Sequence, residues 1–240
     1  MPTIALRAYL EEISALLQMD APAEATAHCR QVLKAFPKAI AVYRLLGDSL
    51  FAAGDFNGAR DVYDRLLSAT PDDALAHARI SVFLGLRGNL EQAAWHAQRA
   101  FEVQPGNRQL REQYHELQSR RAGSVLARVH LTRGALSRLY LHNHYFPEAV
   151  NEARAALKQD PGRSDLLLVL AEALVKTGKL IDAANACNLV LRRLPYCFSA
   201  NLIVWRILAQ ASRRDEAEGY RRRLGDLDPS QLTAAPRPRS

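Results

Sequence analysis

The sequence has few cysteines, few aromatic residues and no long apolar run, and each shortage argues against a class of protein. Cys29, Cys187 and Cys197 are odd in number and fit no metal-binding spacing, so we interpret them as reduced core thiols, as expected for a cytoplasmic protein. No run of 18 apolar residues is present, which argues against a membrane span. The first residues also lack the basic and apolar pattern of a secretory signal.

Catalytic motifs are missing as well. The sequence contains no glycine-rich phosphate loop, no zinc-protease helix and no serine nucleophile elbow, so we expect neither an enzyme nor a bound cofactor. His142 and His144 flank a turn residue, but no Cys, Asp or Glu lies near enough in sequence to complete a metal site. Aromatic residues make up only 7% of the chain, which makes single-strand nucleic-acid binding unlikely.

What the sequence does contain is a strict 34-residue period, which its prolines mark. Pro37, Pro71 and Pro105 are spaced by one period, as are Pro161, Pro195 and Pro229, with 22 extra residues between the two sets. Because proline lacks a backbone donor and disfavours helix in the residue before it, each of these prolines is expected to end one unit. The predicted repeats are 6–39, 40–73, 74–107, 130–163, 164–197 and 198–231.

Each unit carries the pattern of a helical hairpin. Small residues recur midway along the predicted first helix, as at Gly47 and Ser81, and early in the second, as at Ala59 and Ala93. Glycine at the turn can adopt the left-handed conformation that ends a helix. Repeats one, four and six have Asp20, His144 and Ser212 at that place, where we expect altered helix pairing; the remaining three turn positions hold Gly54, Gly88 and Gly178.

This combination of large, small and helix-breaking residues resembles the tetratricopeptide repeat, a helix–turn–helix unit of about 34 residues. The resemblance covers about nine-tenths of the chain and implies an all-α fold, a right-handed α-solenoid of antiparallel helix hairpins. One extra helix is expected at 108–122, because Leu110, Tyr114 and Leu117 follow helical spacing. We expect it to cap repeat three.

Two three-repeat blocks, 1–122 and 123–231, are therefore predicted, with a break at Gly123. The alternative is one continuous helix that runs through to Leu141. The small, basic, proline-rich segment 232–240 is expected to be a disordered tail or a linker. A linker would make the chain the adaptor region of a larger enzyme or regulator.

In this family the first helices line a concave groove, and certain positions tend to face a protein or peptide partner. Carried over, those positions give a set of candidate partner-binding residues: Arg44, Asp48, Arg79, Arg138, Leu168, Val169, Glu172, Val175, Leu202, Ile203 and Arg206, with Val82 beside them. Leu168, Val169, Leu202 and Ile203 would form an exposed apolar patch if the groove is open. They could instead pack inside a tightly wound solenoid or in a self-association interface. Homo-oligomer formation is thus possible.

The paired Lys and Asn residues with which one family subtype grips a carboxyl-terminal peptide are absent; Leu10, Ser14 and Leu45 occupy the corresponding positions. The charge is also uneven. Residues 1–107 hold 10 Lys/Arg and 12 Asp/Glu, whereas residues 108–240 hold 22 and 13. This basic second half permits an acidic protein or nucleic acid as partner without requiring either. A non-catalytic protein-interaction scaffold is the function that the sequence favours.

Overall fold

The computed structural model describes residues 6–125 and 130–229, and in these ranges the chain is entirely helical, without a strand. The helices are α1 (Leu6–Gln18), α2 (Pro22–Ala35), α3 (Ile40–Ala52), α4 (Phe56–Ala69), α5 (Ala74–Leu86), α6 (Leu90–Val103), α7 (Arg108–Ala122), α8 (Arg133–His142), α9 (Phe146–Gln159), α10 (Ser164–Lys176), α11 (Leu180–Arg193), α12 (Phe198–Gln210) and α13 (Arg214–Leu227). Consecutive helices pair as hairpins, which confirms the predicted α-solenoid. The predicted tail at 232–240 lies outside the described residues.

Short polar side chains and prolines set where several helices begin. Asp55 Oδ1 accepts a hydrogen bond from the Gly58 amide at 3.0 Å, and Asp73 Oδ1 accepts one from Ala76 at 3.0 Å. Each bond satisfies an amide that lacks a partner in the first turn of a helix. Pro22 and Pro147 lie in the first turn of α2 and α9, where the missing amide proton costs nothing.

The turns within the hairpins keep one conformation whether or not glycine is present. Gly54, with φ of 80°, is followed by an amide that donates five residues back, from Asp55 to the carbonyl of Leu50. Asp20, His144 and Ser212 have φ values of 57°, 64° and 60°, and the same five-residue hydrogen bond follows each of them. The backbone of these three turns is therefore the same as that of the glycine turns, while the altered helix pairing expected there stays a prediction. The hydrogen bonds of the turn hold a non-glycine residue in the left-handed region at some cost in strain.

The packing of the helices identifies the inner side of the solenoid. Neighbouring first helices touch one another, in the pairs α1–α3, α3–α5, α8–α10 and α10–α12. Each second helix instead packs on the first helix of the following hairpin, as in α2–α3 and α11–α12. Elements that converge lie on the inside of a curve. The first helices thus form the concave layer, as the family resemblance implies.

Small residues allow this close packing. An added Cβ at Gly47 would lie 2.5 Å from Cε1 of the fully buried Tyr63 on the second helix of the same hairpin. Cys29, Cys187 and Cys197 are also buried, and all three are free thiols. Burial raises the pKa of Cys29 and Cys197 to about 11 and that of Cys187 to about 12. These thiols are core residues, as expected.

A buried ionic network links side chains that precede the extra helix α7 to side chains that follow it. The helix α7 ends at Ala122, and Gly123 follows with φ of 68°, so the continuous helix considered above is not formed. Arg163 Nη2 donates to Glu102 Oε2 at 2.5 Å and to Asp165 Oδ2 at 2.7 Å, and all three side chains are buried. Thr132 donates to Glu102 Oε1 at 2.7 Å. The division into two blocks stays a prediction, but charged groups from both sides of it are in contact.

The first and last repeats also meet. Lys38, in the turn between α2 and α3, donates to the hydroxyl of Tyr196 at 2.8 Å and to Asp226 Oδ2 at 3.0 Å. The ammonium of Lys38 lies 4.0 Å from the centroid of the Tyr196 ring. Apolar walls from Pro37, Ile40 and Leu227 surround this contact. The edge of the solenoid that carries the turns between hairpins is consequently closed across its two ends.

Candidate partner-binding surface

The inner face of α5 carries an exposed apolar row. Leu75, Val82 and Leu86 are separated by seven and four residues, a spacing that places them on one side of a helix. All three side chains are exposed, and Leu86 is 73% exposed. Arg79 lies on the same side, one turn from Leu75. We call these four residues the α5 row.

Arg79 is the one member of the α5 row that carries a charge. Its guanidinium stacks on the ring of Phe51, with Cζ 4.4 Å from the ring centroid. Its Nε is buried without a hydrogen-bond partner. A buried guanidinium donor without an acceptor leaves the charge of Arg79 poorly compensated, so an incoming carboxylate would be stabilised there by charge.

Asp48, on α3, lies near Arg79 and already forms a hydrogen bond within the chain. Its Oδ1 accepts a hydrogen bond from the hydroxyl of Tyr63 at 2.7 Å. Burial raises the pKa of Asp48, and the hydrogen bond from Tyr63 and the charge of Arg79 only partly counter this effect. The carboxylate therefore contributes negative charge near Arg79 while it holds Tyr63 in place between the two helices of the hairpin.

Two arginines predicted to contact a partner form ion pairs within the chain. Arg44 donates from Nε and Nη2 to Asp73 Oδ2, at 3.0 Å and 2.6 Å, and so links α3 to the residue that caps α5. Arg138 donates to Asp165 Oδ2 at 2.7 Å, where both side chains are nearly excluded from solvent. Their guanidinium groups neutralise buried or half-buried carboxylates of the same chain. That role explains why arginine occurs at these positions.

The apolar patch expected in repeats five and six is not an open surface. Leu168 is 4% exposed and Val169 is 7% exposed, and each packs in an apolar cluster of the second half of the chain. Ile203 and Val175 are half-buried against the same clusters, and Leu202 is half-buried. Leu168 and Val169 therefore follow the alternative given above and pack inside the solenoid instead of forming a partner surface, because α10 contacts α8, α9, α11 and α12 and is covered on nearly every side.

Of the other predicted residues in these repeats, Glu172 and Arg206 are exposed on the inner helices α10 and α12. Sequence reasoning did not select Leu75 or Leu86, although both occupy the same kind of repeat position as Arg79 and Val82. A large apolar side chain at such a position was the sequence signal that could have identified Leu75 and Leu86. The exposed apolar surface thus lies in repeat three, and not in repeats five and six.

Two further functional classes find no support in the described parts of the chain. Among residues 6–125 and 130–229, no group of three or more His, Cys, Asp or Glu side chains is placed to hold a metal ion. In the same ranges, none of the helices combines the length and the apolar character needed to cross a bilayer.

Comparisons with known proteins identify the repeat. Two family models, both described as tetratricopeptide repeat, match residues 16–80 and 132–196, which together span just over half of the chain. A search of curated proteins gave no significant match.

Several solved structures are similar in their chain path. PilF of Pseudomonas aeruginosa is 17% identical with a TM-score of 0.41, and the match covers 94% of this chain and 93% of that chain. TTC0263 of Thermus thermophilus is 18% identical with a TM-score of 0.42, over 85% of this chain and 100% of that chain. The TPR2AB domain of yeast Sti1, solved with pHSP90, is 16% identical with a TM-score of 0.40, over 95% and 91%.

Proposed function

We propose that this chain, which belongs to the tetratricopeptide-repeat family, is a non-catalytic scaffold that binds a protein partner on the α5 row. Solenoids of this kind provide extended concave surfaces, and binding on such surfaces is what they are generally used for. The observation that supports this site is the exposure of Leu75, Val82 and Leu86 on an inner helix. Exposed apolar groups that share one face usually mark an interaction surface.

The partner is a peptide segment or helix with apolar side chains and one acidic residue. Apolar groups would bury Leu75, Val82 and Leu86, and a carboxylate would compensate the charge of the Arg79 guanidinium. Arg87 adds positive charge at the end of the helix, although its guanidinium turns toward α4, where Nη2 donates to Asn57 Oδ1 at 2.9 Å. These cations favour an acidic over a basic partner.

Glu172 and Arg206 are proposed as contacts further along the same concave layer, because both are exposed on inner helices. Leu202, Ile203 and Val175 are too covered to provide more than an edge contact. Most of the binding energy is therefore expected from repeat three, since a few buried apolar and arginine side chains usually dominate an interface.

The test is a capture experiment from the native lysate with three forms of the protein. The Val82→Glu/Leu86→Glu double variant should lose its partner, whereas Ile181→Glu should retain it. Ile181 is a matched control, because it is 79% exposed but lies on the outer second helix α11. Far-ultraviolet circular dichroism would verify that all forms are equally helical.

Arg79→Met provides a second, finer test. It preserves an apolar contact with Phe51 and removes the charge, so a partner with an acidic anchor should bind on the order of tenfold more weakly. If the double variant captures the same protein as the wild type, the α5 row is not the binding site. If Ile181→Glu fails equally, the loss is not specific to the groove.

A further inference from the structure

A cavity of about 380 Å³ lies away from the α5 row, between α6 and the turns that precede α10 and α12. Its walls include His77, Trp95, His96, Arg99, Asp160 and Leu194. Its volume falls within the range that small-molecule sites occupy. The proposed binding of a protein partner uses none of these residues.

Arg99 is buried in this cavity wall, and one of its nitrogen donors lacks an acceptor. The residue is 5% exposed, and its Nε has no hydrogen-bond partner. The nearest carboxylate is that of Asp160, at 3.5 Å from Nη2, and the Asp160 side chain is half-exposed. Burial, and then the charge of Arg163, lower the pKa of Arg99, and the charges of Glu102, Asp165 and Asp160 only partly counter them.

The neighbouring Arg163 shows what a compensated guanidinium looks like in this fold. It makes three hydrogen bonds of 2.5 to 2.8 Å to the buried carboxylates of Glu102 and Asp165. Arg99 has one long contact instead. A guanidinium with five donors in a water-poor wall is expected to have a bidentate acceptor, and the protein does not provide one.

An aromatic wall stands beside the guanidinium. Arg99 Cζ lies 4.1 Å from the centroid of the Trp95 ring, and about half of the Trp95 side chain is exposed. The two histidines are committed to each other, since their Nδ1 atoms are 2.9 Å apart and His77 Nε2 donates to the Pro71 carbonyl at 3.2 Å. Leu67 and Leu194 complete an apolar lining. The charged guanidinium of Arg99 thus lies beside a flat apolar surface.

We propose that this cavity binds a small aromatic anion, a carboxylate or phosphate carried on a planar ring. The anionic oxygens accept from Arg99 in place of the long contact with Asp160. The ring lies against Trp95 and the leucine side chains. The site takes a free small molecule and does not depend on the partner surface of α5.

The probes are benzoate and phenyl phosphate, with neutral benzamide and inorganic phosphate as controls. Binding is followed by calorimetry and by the fluorescence of tryptophan. The two aromatic anions should bind and change the fluorescence, and the stronger of them identifies the preferred anionic group. Benzamide should bind far more weakly, because its neutral carbonyl cannot form a charge-assisted bidentate pair with Arg99. Inorganic phosphate should bind more weakly because it lacks the ring.

Two variants separate this proposal from a merely structural role of Arg99. Arg99→Met should weaken anion binding on the order of tenfold or more, since charge-assisted hydrogen bonds are lost. Asp160→Asn should strengthen binding severalfold, since a competing carboxylate is neutralised. The ligand-free Arg99→Met protein should unfold at a temperature no lower than that of the wild type, because a poorly paired buried charge is removed.

The proposal is overturned if neither aromatic anion binds at millimolar concentration. It is equally overturned if Arg99→Met binds as the wild type does. A large fall in the unfolding temperature of both Arg99→Met and Asp160→Asn, without ligand, would show that the Arg99–Asp160 contact is structural and would also refute it.

Discussion

Replacing Arg163 with methionine tests whether the buried ionic network joins the two halves of the solenoid. Arg163 is the group that neutralises Glu102, whose carboxylate is fully buried on α6. Without the guanidinium, Glu102 keeps hydrogen bonds from Thr132 at 2.7 Å and Gln98 at 2.8 Å but loses its cation. Asp165 is less affected, because Arg138 still donates to it at 2.7 Å. The variant therefore leaves one uncompensated buried charge.

The expected loss of unfolding free energy follows from this one uncompensated charge. Removal of one partner from a buried ion pair usually costs about 3 to 5 kcal/mol, because the remaining charge stays desolvated. Burial alone would raise the pKa of Glu102, and Arg163 with the hydrogen bonds from Thr132 and Gln98 reverses this and holds it below its usual value. In Arg163→Met the pKa of Glu102 should rise. The destabilisation should then be largest at pH 7 and smaller near pH 5, where Glu102 becomes protonated.

The assay is urea unfolding followed by circular dichroism, at pH 7 and pH 5. Glu102→Gln/Arg163→Met should recover more than half of the loss, since it removes the stranded charge. Arg154→Met is the control: its ion pair with Asp182 is long and exposed, so its effect should stay within about 0.5 kcal/mol. The reasoning is refuted if Arg163→Met costs less than about 1 kcal/mol at pH 7, or costs as much in the Glu102→Gln background.

Three further results are expected. Burial lowers the pKa of His77 to about 4, so below pH 6.5 the unfolded chain binds more protons than the folded one. The free energy of unfolding should therefore fall by roughly 3 kcal/mol between pH 6.5 and pH 4. Urea titrations at each pH should show a smaller fall for His77→Gln. Ser212→Gly should raise the unfolding free energy by about 0.5 to 1 kcal/mol, because glycine adopts the observed left-handed backbone without strain; a decrease would show that the serine is unstrained. Gly47→Ala should lower it by about 1 to 3 kcal/mol in the same assay, because the new methyl group overlaps the ring of Tyr63, and unchanged stability would mean that the hairpin can open at no cost.

The repeat architecture could be predicted from the sequence because its signals are local. Prolines at a 34-residue period and small residues at fixed places determine where helices end and how closely they pair. The conformations of Asp20, His144 and Ser212 could not be read in the same way. Their left-handed backbone is imposed by the hydrogen bonds of the turn and by helix packing, which outweigh the preference of the residue itself.

The candidate surface was harder to predict. A repeat position indicates which way a side chain points from its helix, but it does not indicate whether another helix covers that side chain. Leu168 and Leu75 lie on inner helices of similar, mostly apolar composition, yet one is buried and the other exposed. Arg44 and Arg138 look like groove cations in the sequence. Their carboxylate partners, Asp73 and Asp165, lie 29 and 27 residues further on, and only the packing of hairpins brings each pair together.

The contacts of Lys38 change how the chain should fold. An open solenoid has only neighbouring contacts, so its units can form one after another from any starting point. Lys38 reaches Tyr196 and Asp226 across 158 and 188 residues, and closing such a loop lowers chain entropy before the contact is gained. The closed edge thus links the first and last units through a contact that can form only once the units between them are in place. Removal of repeat six should therefore loosen the turn that ends repeat one.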